Sequence, residues 1–432
     1  MQKCKQEQGT SLGIYRITFG LLMAFSLLRF LYNGWVEACY LLPKFHFTFQ
    51  YFHWIKPFDN PVLMYGIIVI AIIAAIFIAL GFWYKLSTIT FFLIFSYLEL
   101  IEKSWYLNHY YFVSLIAFLL IFIPANHHLS IQKVSSKNGI SSIFRTILKL
   151  QISGVYFFAG LAKINSDWII EAMPLRIWLK AKGDLPIIGD WLTQDWTTYF
   201  FSYSGMLYDL FIPFLLWNKH TRPFALFAVL AFHIATSILF PIGLFPLIMI
   251  VGSLIFLDDA EWKTILNRFR IDLKSNISNQ KKSETSPWII ALFSVHLLIQ
   301  IALPMRHYFY AENFLWTERH YRFGWNVMLI EKSGYAIFKV KDNDSDKTWT
   351  IYPNEYLTDT QEKQMNFQAD MIWEFAQFIK TKFHKEDIPN ISIYTENWVT
   401  FNGRPSQLYL PKTLDLLRIS EDEIYDFVLP LR

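Results

Sequence analysis

Cysteine is almost absent: Cys4 and Cys39 are the only two in a chain of 432 residues. Two cannot staple a chain of this length, which excludes a disulfide scaffold. Charge is also scarce, at 17% against about 25% in an ordinary globular chain. A net charge of +4 is too small for a general polyanion binder, so no nucleic-acid partner is expected. No G-x-G-x-x-G, P-loop, G-x-S-x-G or C-x-x-C motif occurs, so none of the chemistry tied to those motifs is announced. What the chain has in excess is apolar surface. It is 54% hydrophobic and 19% aromatic, with 41 Phe, 23 Tyr and 16 Trp. That excludes disorder and points to a membrane protein with a soluble part.

The charge is unevenly spread. Residues 306–432 hold 15 Lys and Arg against 19 Asp and Glu, about 27% charged. Residues 1–305 hold 24 against 16, about 13%. Two domains follow: a basic membrane domain over 1–305 and an acidic soluble domain over 306–432.

A spanning helix needs about 20 mostly apolar residues. Nine candidates run near Leu12–Leu31, Val62–Trp83, Leu86–Ile101, Tyr110–Ile123, Ser142–Ala162, Thr198–Trp217, Pro223–Phe240, Ile242–Leu257 and Pro287–Pro304. The expected fold is a polytopic all-α membrane domain of about nine helices, then a small α+β domain. With nine spans the basic loops share one face. They carry Lys3 and Lys5; Lys133, Lys137 and Arg145; Lys219 and Arg222; and Lys263, Arg268, Arg270, Lys274, Lys281 and Lys282. The positive-inside rule makes that face cytoplasmic and puts the soluble domain outside the cytoplasm. No cleavable signal and no lipidation pattern around Cys4 is expected at the amino end. Cys4 and Cys39 fall on opposite faces.

Ionisable residues inside a membrane are costly and mark function by default. Lys163 ends the fifth span, and His109 opens the fourth in Lys-Ser-Trp-Tyr-Leu-Asn-His (103–109). Both reach the external edge on consecutive antiparallel helices, a geometry in which they can meet. Desolvation would favour a neutral Lys163 amine, able to act as base or nucleophile. The bland readings stand beside this. A lysine at a helix end snorkels, and a histidine at a span entrance often faces the interface. His233 can hydrogen-bond a neighbouring helix, and Asp209 can partner Arg176. No metal site is expected. An external cluster of His46, His53, His307 and His320 is the remaining alternative.

In the tail, Tyr335–Val340, Thr348–Tyr352, Ile391–Tyr394 and Trp398–Phe401 read as strands. Glu362–Phe383 reads as an amphipathic helix. Asn402-Gly403 is a hairpin signal, and Asp342–Asp346 a solvated turn.

Several segments, taken in order, resemble the vitamin K-dependent γ-glutamyl carboxylase family, with an HTTM-like membrane domain. They are Lys103–Tyr111, Pro124–His127, Tyr156–Trp168, Gly205–Asp209, Phe232-His233, Phe240–Pro246, Trp325–Leu329 and Trp398–Arg404. The resemblance covers roughly Leu12 to Pro411. It implies a membrane-bound lyase (carboxylase) with coupled quinone epoxidation. Reduced vitamin K or menaquinol, oxygen and carbon dioxide would be consumed, and a glutamate-containing peptide or protein would be the substrate. By the same resemblance Lys163 matches the base, with His109 and Asn108 beside it in the catalytic set. Trp105, Arg176 and His233 match cofactor-binding positions, and Trp325 and Leu329 a substrate region. The short form implies a bacterial homologue, in an inner membrane with its tail in the periplasm. Vertebrate members carry a long carboxy-terminal extension and bridging cysteines without counterpart here, so an altered propeptide-docking surface is expected. Two other readings remain: an epoxidase that carboxylates no protein, and a non-catalytic lipid-binding or transport protein of the same fold.

Overall fold

The computed structural model describes residues 6–7, 9–132, 139–271, 285–310 and 312–432. Lys3, Cys4, Lys5, Lys133, Lys137, Lys274, Lys281 and Lys282 lie outside the described residues.

Helices stand at all nine expected places. They are α1 (Thr10–Tyr32), α2 (Pro61–Leu80), α3 (Tyr84–Ile101), α4 (Asn108–Phe122) and α5 (Ile143–Ala162), then α6 (Asp195–Trp217), α7 (Arg222–Leu239), α8 (Phe245–Ser253) and α9 (Pro287–Met305). Six of them, α1, α2, α3, α6, α7 and α9, are long and apolar enough to cross a membrane. The α4 helix has only 15 residues, α8 only nine before a short 3-10 extension, and α5 carries Arg145 and Lys149. Length and composition therefore support six spans and do not confirm nine.

The basic face is knitted together. A two-residue strand β1 (Gln6–Glu7) pairs with β2 (Ile140–Ser141). The backbone N–H groups of Gly9 and Ser11, at the amino end of α1, donate to the Asp259 carboxylate at 3.0 and 2.7 Å. That is where a helix presents unsatisfied donors and positive potential. Arg222 pairs with Glu261 at 2.5 Å. Arg16 is fully buried, and its guanidinium donates to the carbonyls of Ile78, Ala79, Ala125 and Leu129. It thereby satisfies the orphan carbonyls that end α2.

On the opposite face sits the tail, a four-stranded antiparallel sheet in the order β4-β3-β5-β6. Its strands are β3 (Lys332–Asp342), β4 (Thr348–Ile351), β5 (Ile391–Phe401) and β6 (Gln407–Leu408). Helices α10 (Asp359–Met365) and α11 (Ala369–Lys385) accompany it. The core joins Phe338 and Val340 of β3 to Phe375 and Ile379 of α11 and Val399 of β5.

Two expectations are corrected here. The pieces read as separate strands, Ile391–Tyr394 and Trp398–Phe401, form one strand in register with β3 from Lys332↔Phe401 to Asp342↔Ile391. Its polar middle is tied into the fold: Asn397 Nδ2 donates to Tyr335 O at 3.0 Å and Asn366 O at 2.6 Å. The single helix Glu362–Phe383 is instead two, broken at 366–368 where Asn397 takes the Asn366 carbonyl.

A buried ion network docks the tail on the membrane helices. Lys103 Nζ lies 2.8 Å from Asp370 and 3.2 Å from Glu374, and Arg322 is 2.7 Å from Asp370. Burial opposes charge on Asp370, but Arg322 and Lys103 outweigh it and hold the carboxyl below its usual range. Gln361 Nε2 donates to Glu102 at 2.7 Å.

Candidate functional site

The face between the helices and the tail holds two cavities. The larger, about 450 Å³, is walled by Arg29 of α1, Glu99 of α3, the segment Trp105–Tyr110 and the turn Pro241–Phe245, with Asn326–Met328 above. Its size falls within the range of about 300–1,000 Å³ typical of ligand pockets. The smaller, about 70 Å³, is lined by Tyr156, Lys163, Trp168, Asp209 and His233. Ile242, Phe245, Val327 and Met328 line both and form the partition between them. The Phe245 ring lies 5.9 Å from the His109 ring on one side and 5.7 Å from the His233 ring on the other.

Lys163 caps the carboxyl end of α5. Helices α5 and α6 approach closely because residue 160 is glycine. A Cβ there would stand 2.7 Å from the Leu210 backbone nitrogen. That contact brings Lys163 Nζ to 2.9 Å from Asp209 Oδ2 and 3.1 Å from Ala159 O. The Trp168 ring lies 5.3 Å from the same nitrogen. Both members of the pair are buried, at 6% and 7% exposure. The amine expected to be desolvated is buried, and it has a carboxylate partner that the spacing did not announce. The expected partner of Asp209 changes too. Arg176 turns to Asp195 at 3.9 Å and to the Tyr199 hydroxyl at 3.2 Å.

His109 and Lys163 do stand on the same face, but they open into different cavities. His109 makes no side-chain hydrogen bond among the described residues; its ring packs 4.7 Å from Tyr110. Asn108 Nδ2 donates to Asn326 O at 2.9 Å, and its Oδ1 accepts from the Tyr106 hydroxyl at 2.9 Å. Trp105 lines the larger cavity and carries a buried indole N–H without a partner among the described residues. His233 accepts or donates at Nε2 with the Tyr156 hydroxyl, 2.8 Å away, while its buried Nδ1 has no partner among the described residues. Arg176 lines neither cavity.

Trp325 and Leu329 are each 1% exposed and line neither cavity. Trp325 stacks on Tyr111 at 5.1 Å, and Leu329 belongs to the tail core. The residues between them, Asn326, Val327 and Met328, face the cavities instead. This loop is strained: Phe323, Trp325 and Met328 have φ of 61°, 57° and 59°, unusual for bulky side chains. Such strain persists where surrounding structure over-determines it, and it clusters at functional sites. Sequence reading missed Asn326, Val327 and Met328 as cavity residues because it fixed on the larger anchors Trp325 and Leu329. It also missed Glu99, an acid inside an apolar run, which the rule about charges in spans should have flagged.

The tail reaches the Lys163 segment directly. Arg404 clamps Asp167 with two hydrogen bonds of 2.9 and 2.7 Å, and Asn402 Nδ2 adds a third at 2.9 Å. Two segments 235 residues apart thus meet beside Trp168. The Asn402-Gly403 turn that aims Arg404 uses φ of 46° and 78°, which suits those two residue types. Among the described residues no three His, Cys, Asp or Glu side chains group for a metal ion. His46 bonds the Tyr40 carbonyl, His53 faces Glu421, and His307 and His320 pack on separate aromatic rings, so the four do not converge.

Comparison with known families gives two matches. A family model described as HTTM domain matches residues 4–262. One described as vitamin K-dependent gamma-carboxylase, lumenal domain, matches residues 285–432. No solved structure matches the chain.

Proposed function

The chain belongs to the vitamin K-dependent γ-carboxylase family, and we propose that it is a quinol-dependent glutamyl carboxylase with coupled quinone epoxidation. The observation that carries this reading is the buried Lys163–Asp209 pair, one apolar partition away from a cavity bearing His109 and Asn108. The residues present fit a quinol. The larger cavity is mostly apolar, its His109 has no partner among the described residues, and the Trp105 indole N–H is orphaned.

When bound, the reduced quinone supplies, with oxygen, the base strong enough to take a glutamate γ-proton, and it leaves as an epoxide. The chain's own residues supply position and proton handling. Asp209 accepts a proton from Lys163 Nζ across 2.9 Å, which frees the amine to take another from a hydroxyl that reaches the smaller cavity past Phe245 and Met328. His109 and Asn108 orient the ring, and the tight apolar partition excludes water. Trp325 and Leu329 act on the glutamyl substrate indirectly, by holding Asn326, Val327 and Met328 at the cavity walls. His233 and Trp105 serve the cofactor through their orphaned N–H or ring nitrogen. Arg176 serves it from outside both cavities. The division at 305/306 separates the membrane domain from a domain outside the cytoplasm, in the periplasm of a bacterial cell.

Epoxide formation from menaquinol tests the base. Membranes carrying wild type should form epoxide, and those with Lys163→Ala should not. Equal yield from both removes Lys163 from the chemistry.

A further inference from the structure

Arg29 has no part in the mechanism above. It stands in the last turn of α1, at the end away from the basic face, and its side chain lines the larger cavity. It is half-buried, and its guanidinium lies over the Trp35 ring, 4.7 Å from the centroid. That contact uses the flat face of the group and leaves its edge of five N–H donors open. Among the described residues Arg29 makes no ion pair and no side-chain hydrogen bond.

The other charges on these walls are settled. Lys163 is the other lysine or arginine lining either cavity, and Asp209 holds it at 2.9 Å. Glu102 accepts from Phe47 N, Ser104 N and Gln361 Nε2. Glu99 has one hydrogen bond, from Ser114 Oγ at 3.4 Å, and no ion pair among the described residues. A carboxyl buried without a paired cation stays protonated, so Glu99 can donate to an anion and does not repel it. Trp105 Nε1, His109 and Asn326 Oδ1 also have capacity to spare in this cavity. None of those three groups carries a fixed charge. Arg29 does, at any pH the protein meets.

A free guanidinium edge in a mostly apolar cavity suits a planar anion, bound through two parallel hydrogen bonds. The carboxylate of a glutamyl side chain is such an anion. It also needs a cation for a chemical reason. Loss of a γ-proton to the base that the reduced quinone supplies leaves an electron pair on the γ-carbon, beside a group already negative. A guanidinium fixed on that group offsets the second charge as it develops.

We propose that Arg29 binds the γ-carboxylate of the substrate glutamyl residue in the larger cavity, and so places the γ-carbon for proton removal. The Trp35 ring holds the guanidinium flat with its edge open. A cation in the last turn of a helix also complements the helix dipole, but that role asks for neither a cavity nor an open edge. The inference rests on the carboxylase reading above and names a residue that selects its substrate.

The test is equilibrium binding to the full chain in phosphatidylcholine nanodiscs, without oxygen. The probes are a glutamyl pentapeptide and its glutaminyl counterpart, which has nearly the same shape and no charge. Wild type should prefer the glutamyl peptide by at least about tenfold. Arg29→Gln should bring the two affinities within about twofold. Arg29→Lys keeps the charge and loses the fork, so its preference should fall between the two. If Arg29→Gln does not fold, Arg29→Lys carries the test. A full wild-type preference in Arg29→Gln, or in Arg29→Lys where the first does not fold, overturns the proposal and leaves Arg29 to lipid headgroups or the helix end. Equal affinity of wild type for the two peptides, or binding of neither, overturns it as well. Menaquinol binding by wild type is measured alongside. Its presence leaves the quinol reading standing whatever the peptides do, and its absence overturns that reading.

Discussion

Lys163 Nζ donates to Asp209 Oδ2 at 2.9 Å in a cavity that His109 does not line. The base and its acceptor form one buried unit, and the ring-orienting residues stand across an apolar partition. If Asp209 relays the lysine proton, Asp209→Asn keeps the shape and loses the acceptor. Epoxide formation should fall by about 10²-fold or more. Combining it with Lys163→Ala should add little, since groups acting as a unit are not additive. A variant within twofold of wild type would leave Asp209 a structural partner only.

The partition should respond to volume. Met328 lines both cavities. Met328→Ala opens space between them and should raise KM for the glutamyl peptide more than it lowers kcat. Steady-state kinetics at saturating quinol reads the split.

Trp325 behaves differently. It is buried and stacked on Tyr111, so Trp325→Ala should act first on folding, at about 3–5 kcal/mol. A lowered thermal midpoint measured on the purified protein checks this. Normal stability with lost peptide binding would return Trp325 to a direct role.

The clamp on Asp167 gives a fourth handle. Arg404→Ala leaves a carboxylate of 7% exposure with Asn402 as its remaining side-chain donor. The cost should be about 1–3 kcal/mol. The loosened Asn165–Trp168 segment should lower turnover, and Arg404→Lys should rescue it partly, because a lysine cannot match the fork.

Glu102 sets a pH dependence at the junction of helices and tail. Burial raises its pKa from 4.5 to about 8, against hydrogen bonds from Ser104 and Gln361 that lower it. The folded chain therefore holds this proton more tightly than the unfolded one. The group's contribution is full below about pH 4.5 and is lost as pH rises through about 8. Wild type should lose thermal stability over that window relative to Glu102→Gln, by a total of about 4 kcal/mol. Parallel melting profiles of the two proteins would contradict this.

Much of the frame was legible because apolar runs of spanning length leave little choice but helix. The places of all nine helices came from that, while α4 and α8 proved too short to count as spans by length. The gathering of the 140s, 220s and 259–261 segments on one face was legible from their charge. The Asp209 partner was not, because it depends on the contact at Gly160, which no spacing reveals. The break between α10 and α11 was hidden for a similar reason: Asn397, far along the chain, takes the Asn366 carbonyl. Trp325 and Leu329 drew attention by size, yet burial turned them inward and left Val327 and Met328 at the site.

Incorporation of labelled carbon dioxide into a glutamyl peptide tests the central claim most directly. Purified wild type with menaquinol and oxygen should transfer label to the peptide, and Lys163→Ala or omission of either quinol or oxygen should abolish it. Epoxide without peptide label would make the chain an epoxidase alone. Neither product, from protein shown to bind quinol, would contradict an enzymatic role and favour a lipid-binding one.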